Sequence, residues 1–184
     1  KFHTLLKEQN LPIIQKELNK LVFLKGISHA SDDLQEKRVA ERQAETAKLQ
    51  LNLNCPKHIR TEYTQTASTG SGITLWAMHS KDGLEFDFIH PIIIGADTLG
   101  EKQKKAEEVG KEAATSLMKE INANAPIDQH AADMLIPFLA LFGGEIKTSE
   151  ITNHTKTNIY VVEQFLGNTL KIENKNISVI EKSP

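Results

Sequence analysis

His154 stands in Ile151-Thr-Asn-His154-Thr-Lys-Thr-Asn-Ile159, a polar turn that runs into an apolar helical pattern. A histidine at such a place is aimed at the open start of a helix, where unpaired N–H groups and the positive end of the helix dipole favour an anion. Neutral imidazole has one nitrogen available to attack phosphorus while its other N–H is held by a neighbour, and its ordinary pKa leaves a neutral fraction near physiological pH. Phosphoryl transfer is therefore the chemistry to test first, against the plainer reading of a polar helix cap. Asp133 lies among Ala131, Ala132, Met134 and Leu135. A carboxylate in that setting is costly unless paired, hydrogen-bonded or metal-bound, or unless it sits at an edge and reaches solvent. His130 is three residues earlier and shares its helical face, so His130, Asp133 and His154 can form one polar pocket.

Other chemistry-bearing residues say less. Neither the phosphate loop GxxxxGK[ST] nor a dinucleotide-binding fingerprint occurs. Ser68-Thr-Gly70-Ser-Gly72 is better read as a glycine-rich hairpin connection than as an anion cradle. His3, His29, His58, His79 and His90 fall in expected strands or turns with no matching ligand array. The single cysteine, Cys55, excludes an intrachain disulfide and a metal-binding cysteine cluster.

The elements that must position Asp133 and His154 follow from periodicity. Asp128 is placed to cap a helix reaching Phe142, apolar on most sides and so expected to be deeply buried, with Pro137 expected to kink or interrupt it. After Gly143 and Gly144, a strand over 145–150 leads to the His154 turn. A helix is expected over 157–166, ended by Gly167, and a closing hairpin over 169–173 and 177–180. Upstream, strand-like runs cover 2–6 and 21–28. A helix over 34–51 has Ser31, Asp32 and Asp33 as candidate caps, and strands are expected over 58–66, 73–79 and 84–94. The clearest helix spans 101–122, with Ala106, Val109, Ala113, Leu117 and Ile121 on one face. From Leu21 the order is β-α-β-β-β-α.

The chain has 184 residues, 39% hydrophobic and 25% charged, an ordinary globular composition. A net charge of −2 and a pI near 6.4 argue against coating nucleic acid with a broad basic face, while leaving recognition of a nucleic-acid end open. No charged-then-apolar leader and no bilayer-length apolar run occur, so a cytoplasmic location without a membrane partner is expected. The start at Lys1, with residues that already read as structure, suggests a truncated polypeptide.

Two segments carry a family resemblance. They are Asp128-Gln-His130-Ala-Ala-Asp133-Met-Leu-Ile-Pro-Phe-Leu-Ala-Leu141 and Ile151-Thr-Asn-His154-Thr-Lys-Thr-Asn-Ile159-Tyr-Val-Val-Glu-Gln-Phe165. Supporting runs are Gly26–Ser31, Val39–Ala44, Gly70–Ala77, Gly95–Gly100 and Ala106–Gly110. Together they resemble the C-terminal part of the RNA 3'-terminal phosphate cyclases over nearly the whole chain. The resemblance implies that His154 is adenylylated by ATP, that AMP passes to an RNA 3'-phosphate end, and that the neighbouring 2'-hydroxyl closes a 2',3'-cyclic phosphate with help from Mg²⁺ or Mn²⁺. It implies that Asp133 orients the histidine or assists the metal, and that His130 and Met134, with Asp133, contact nucleotide. His130 falls where many members carry tyrosine, and Met134 where many carry glutamine.

The implied fold is α+β: part of a main domain of βαβαββ-type units (1–22 and 126–184) around a small inserted α/β domain (23–125). The family's N-terminal half, which supplies further active-site residues, is implied as the partner that completes the site, so these residues alone are expected to be inactive. Two rivals share related folds. A cyclase-like ribosome-assembly factor of the same fold lacks the adenylylated histidine, and the enolpyruvyl transferases share βαβαββ units but not the histidine-centred segment.

Overall fold

The computed structural model describes residues 13–15, 17–81, 83 and 91–180. The chain divides into two compact units, residues 19–123 and residues 1–18 with 124–184. The fold class is α+β, with helices on two mixed sheets. A short strand, β1 (Ile13–Gln15), precedes the first unit in sequence and belongs to the second. The strand expected over 2–6 lies outside the described residues.

Residues 19–123 follow the expected β-α-β-β-β-α order: β2 (Lys20–Ser31), α1 (Val39–Gln50), β3 (Lys57–Thr64), β4 (Ser71–Ser80), β5 (Ile92–Leu99) and α2 (Ala106–Asn122). The sheet order is β3-β2-β4-β5, with β2 parallel to β3 and antiparallel to β4. Period-two burial of Val22, Leu24, Gly26, Ser28 and Ala30 gives β2 its inner face. Small residues let the helices come close: Ala40, Ala44 and Ala47 of α1 and Ala113 and Ala114 of α2 are buried. A Cβ at Gly110 would collide with the Gln43 carbonyl, so this crossing admits only glycine. Buried Gln43 is tied in by Ser28 Oγ donating to its Oε1 (2.9 Å) and by its Nε2 donating to Ser71 Oγ (3.0 Å).

Three boundaries differ from expectation. Instead of starting at residue 34, α1 starts at Val39, because Asp32–Leu34 form a 3₁₀ turn and Arg38 takes a left-handed φ of 51°. Likewise α2 starts at Ala106 rather than 101, after Gln103 with φ 71°. Of the strand expected over 84–94, residues 84–90 lie outside the described residues. The observed β5 runs on to Leu99, where the ladder with β4 overrides the weak strand preference of Gly95, Ala96 and Asp97.

The second unit contains β1, α3 (Gln129–Phe142), β6 (Gly144–Lys147), α4 (Asn153–Leu166), β7 (Leu170–Glu173) and β8 (Asn176–Val179). With residues 19–123 set between β1 and α3, the order is βαβαββ. Its sheet is β1-β6-β8-β7, parallel at β1–β6 and antiparallel elsewhere. The core is Ala132, Ile136 and Leu139 of α3, Ile146, Ile159, Leu170 and Ile177.

The expectation that α3 is deeply buried is corrected. It buries one stripe at i, i+4 and i+7, while Met134 (73% exposed), Phe138 (52%) and Leu141 (49%) face outward. Nor is the helix interrupted at Pro137, which sits on an exposed position with continuous helix on both sides.

Candidate active site

Asp128 starts α3 as expected: its Oδ1 accepts from the N–H groups of His130 (3.0 Å) and Ala131 (2.8 Å). One turn later Asp133 projects toward the start of α4. Thr152 is the N-cap of α4, and its Oγ1 accepts from the Thr155 N–H (3.0 Å) while Thr155 Oγ1 accepts from the Thr152 N–H (3.2 Å). This is a capping box in which threonine replaces the usual glutamate. Both hydroxyls also donate to Asp133 Oδ1, that of Thr152 at 3.0 Å and that of the buried Thr155 in a short hydrogen bond. The carboxylate thus clamps the first turn of α4 from a neighbouring helix, at the end where negative charge is favourable.

Pro137 contributes to the same joint. A residue with an N–H at 137 would donate to the carbonyl of Asp133, four residues back; proline has none. That carbonyl accepts instead from Asn158 Nδ2 at 2.9 Å. One residue of α3 therefore holds α4 twice, by its carboxylate at Thr152 and Thr155 and by its carbonyl at Asn158.

His154 is in the second position of α4 and exposed. The expectation of a helix beginning at 157 is corrected: the helix begins at Asn153, so the histidine lies within its first turn rather than ahead of it. Asn153, Thr155 and Thr157 are weak helix formers, and the cap and the Asp133 clamp supply what propensity lacks. Asp133 is bonded to the threonines, not to the imidazole; its link to His154 runs through the backbone turn. The Lys156 N–H returns to the Thr152 carbonyl at 3.2 Å. Among the described residues, the N–H groups of Asn153 and His154 have no acceptor, which leaves the open helix start available to an anion.

His130 and Met134 are exposed on α3, one turn apart. No hydrogen bond joins either of them to the α4 turn among the described residues. Thr152, Thr155 and Asn158 were not singled out from sequence, and Pro137 only as a kink or interruption, not as the residue that frees the Asp133 carbonyl. The threonine pair at capping-box spacing and a proline four residues after an aspartate were the available signals.

Residues 16–122 match the sequence profile described as the RNA 3'-terminal phosphate cyclase (RTC) insert domain, which is more than half of the chain. The chain belongs to the RNA 3'-terminal phosphate cyclase family. Curated relatives extend the similarity through the α3–α4 region. A protein named RNA 3'-terminal phosphate cyclase from Thermococcus gammatolerans is 41% identical over 170 residues, covering 91% of this chain and 46% of the relative. One of the same name from Pyrococcus abyssi is 42% identical over 164 residues (89% and 44%). That from Saccharolobus solfataricus is 42% identical over 161 residues (86% and 44%). The chain spans about half the length of the curated relatives it matches. Among the described residues, no helix is long and apolar enough to cross a membrane.

Proposed function

We propose that this chain is the C-terminal portion of an RNA 3'-terminal phosphate cyclase and carries its nucleophile, His154. The observation that supports this most is an exposed histidine on a helix turn clamped by Asp133, in a chain of the cyclase family. In the proposed sequence an imidazole nitrogen attacks the α-phosphorus of ATP and pyrophosphate leaves. The AMP is then transferred to an oxygen of the RNA 3'-phosphate. Finally the 2'-hydroxyl attacks that phosphorus, losing its proton, and AMP departs to leave the 2',3'-cyclic phosphate. The free N–H groups of Asn153 and His154 would face the charge developing on the α-phosphate. Asp133 acts as a positioning residue that fixes the turn, and His130 and Met134 form the adjoining exposed surface for nucleotide.

Mg²⁺ or Mn²⁺ belongs to the proposed reaction as charge neutralisation on the phosphates. Among the described residues no group of three or more His, Cys, Asp or Glu side chains can hold a metal ion, and Asp133 Oδ1 already accepts two hydroxyls. These residues therefore do not fit a metal cage by themselves. Metal ligands and further phosphate contacts are assigned to the additional length present in the relatives. The test is conversion of a 3'-phosphorylated oligoribonucleotide by full-length protein with ATP. A cyclic end formed only with ATP, and no turnover by residues 1–184 alone, is expected; robust turnover by the 184 residues would overturn the division of labour.

A further inference from the structure

A cavity of about 630 Å³ lies within residues 19–123, away in sequence from the His154 turn. Its lining includes Lys37, Arg42, Lys102, Lys104 and Lys105 against a single carboxylate, Glu101. Two of these cations are already matched: Arg42 is held bidentately by Glu107 (2.8 and 2.9 Å), and Lys104 pairs with Glu112. Lys37, Lys102 and Lys105 are exposed at the rim. The inner wall is neutral and polar, with fully buried Gln43 bonded to Ser71, whose hydroxyl hydrogen has no acceptor among the described residues. Gly100 closes that wall, since a Cβ there would collide with Ser71 Oγ.

The placement of the cations opposes local stability. Lys37 and Arg38 directly precede α1, and Lys104 and Lys105 directly precede α2. At both helix starts the dipole favours negative charge, which Glu41 supplies in α1 and Glu107 and Glu108 in α2, Glu108 accepting from the Lys105 N–H (3.3 Å), while the Arg38 and Lys105 side chains make no cap bond. Basic residues at two such positions around one cavity suit an anion held between them. No aromatic ring lines the cavity among the described residues, so nothing there would stack on a base. A ligand there would be gripped by its charge.

We propose that this cavity binds a backbone phosphodiester of the RNA strand, with Lys37, Lys102 and Lys105 as its cationic contacts. The proposal rests on the reading that the full-length protein acts on RNA. Anisotropy titration of full-length protein with a short 3'-phosphorylated oligoribonucleotide, across a salt series, tests it. The double variant Lys37→Glu, Lys105→Glu should weaken binding about tenfold and flatten the log–log salt slope by roughly 1.4, the loss of two phosphate contacts on a single strand. Lys25→Glu with Lys48→Glu makes the same charge change at exposed sites of the same unit outside the cavity, and should leave the slope intact. Equal weakening by both pairs, or none by the first with its thermal unfolding unchanged, would overturn the proposal. Competition by AMP or inorganic phosphate without any RNA binding at the cavity would also overturn it, assigning the cavity to a small anion. Failure of wild-type protein to bind RNA at all would instead refute the functional reading.

Discussion

In residues 19–123, α1 and α2 bury small side chains against the sheet, and among the described residues the one histidine well inside, His79, is 2% exposed. In the βαβαββ unit, α3 and α4 bury a single stripe and leave Met134, Phe138, Leu141, Tyr160, Val161 and Phe165 outward, with His154 exposed beside them. The first unit leaves Leu49, Ile93 and Leu99 exposed, whereas in the second the exposed apolar residues cluster on the outer faces of two successive helices. The difference teaches that an apolar helix sequence does not by itself locate the core. It also shows that an imidazole is a buried packing element in one unit and an exposed side chain in the other.

Core substitutions probe the sharpest contrast. Ile136→Ala or Leu139→Ala, on the buried stripe of α3, should cost about 2–5 kcal/mol in urea unfolding. Phe138→Gln, on the outer face, should change stability by no more than about 0.5 kcal/mol. Comparable losses from both faces would mean that the outer face is covered after all.

The histidines differ in their response to pH. Burial lowers the His79 pKa to about 4, against a smaller upward effect of a hydrogen bond with the Ala77 backbone. Above pH ~6.5, the ordinary value, both folded and unfolded His79 are neutral and the stability is fully present. As pH falls below that, the unfolded chain takes up a proton that the folded unit refuses until about 4. Stability should therefore drop by about 3 kcal/mol across this window. Trp76, the only tryptophan, lies in the same strand and reports unfolding of this unit. His79→Leu should flatten the pH dependence of its fluorescence transition, and an unchanged slope would show that His79 is not the group responsible.

The helix starts offer the smallest effect. Thr152→Ala removes the N-cap acceptor of α4 and one hydroxyl from Asp133, and should cost about 1 kcal/mol. Lys105→Ala, at a start where Glu108 accepts from the Lys105 N–H (3.3 Å) and the lysine side chain itself caps nothing, should be neutral or slightly stabilising. Equal costs would erase the distinction between a helix start held by its N-cap side chain and one that is not.

The element order of residues 19–123 was legible because alternation in β2 and the apolar face of α2 are strong local signals. The cap at Asp128 was legible for the same reason. The starts of α1 and α2 were not: left-handed Arg38 and Gln103 are ordinary residues whose backbone is dictated by neighbours. Asp133 and His154 stood out by residue type, but the joint between them did not. It depends on a carbonyl freed by Pro137 and on hydroxyls that meet only after α3 and α4 pack. Burial of α3 was misread because periodicity reports how apolar a face is, not what covers it.

Mapping of covalently bound AMP tests the central claim most directly. Full-length protein is incubated with ATP labelled at the α-phosphate and a divalent metal, and the labelled peptide is sequenced. AMP is expected on His154, lost in His154→Ala and reduced but still on His154 in Asp133→Asn. Label at wild-type level in His154→Ala, or on another residue of the wild-type protein, would contradict it.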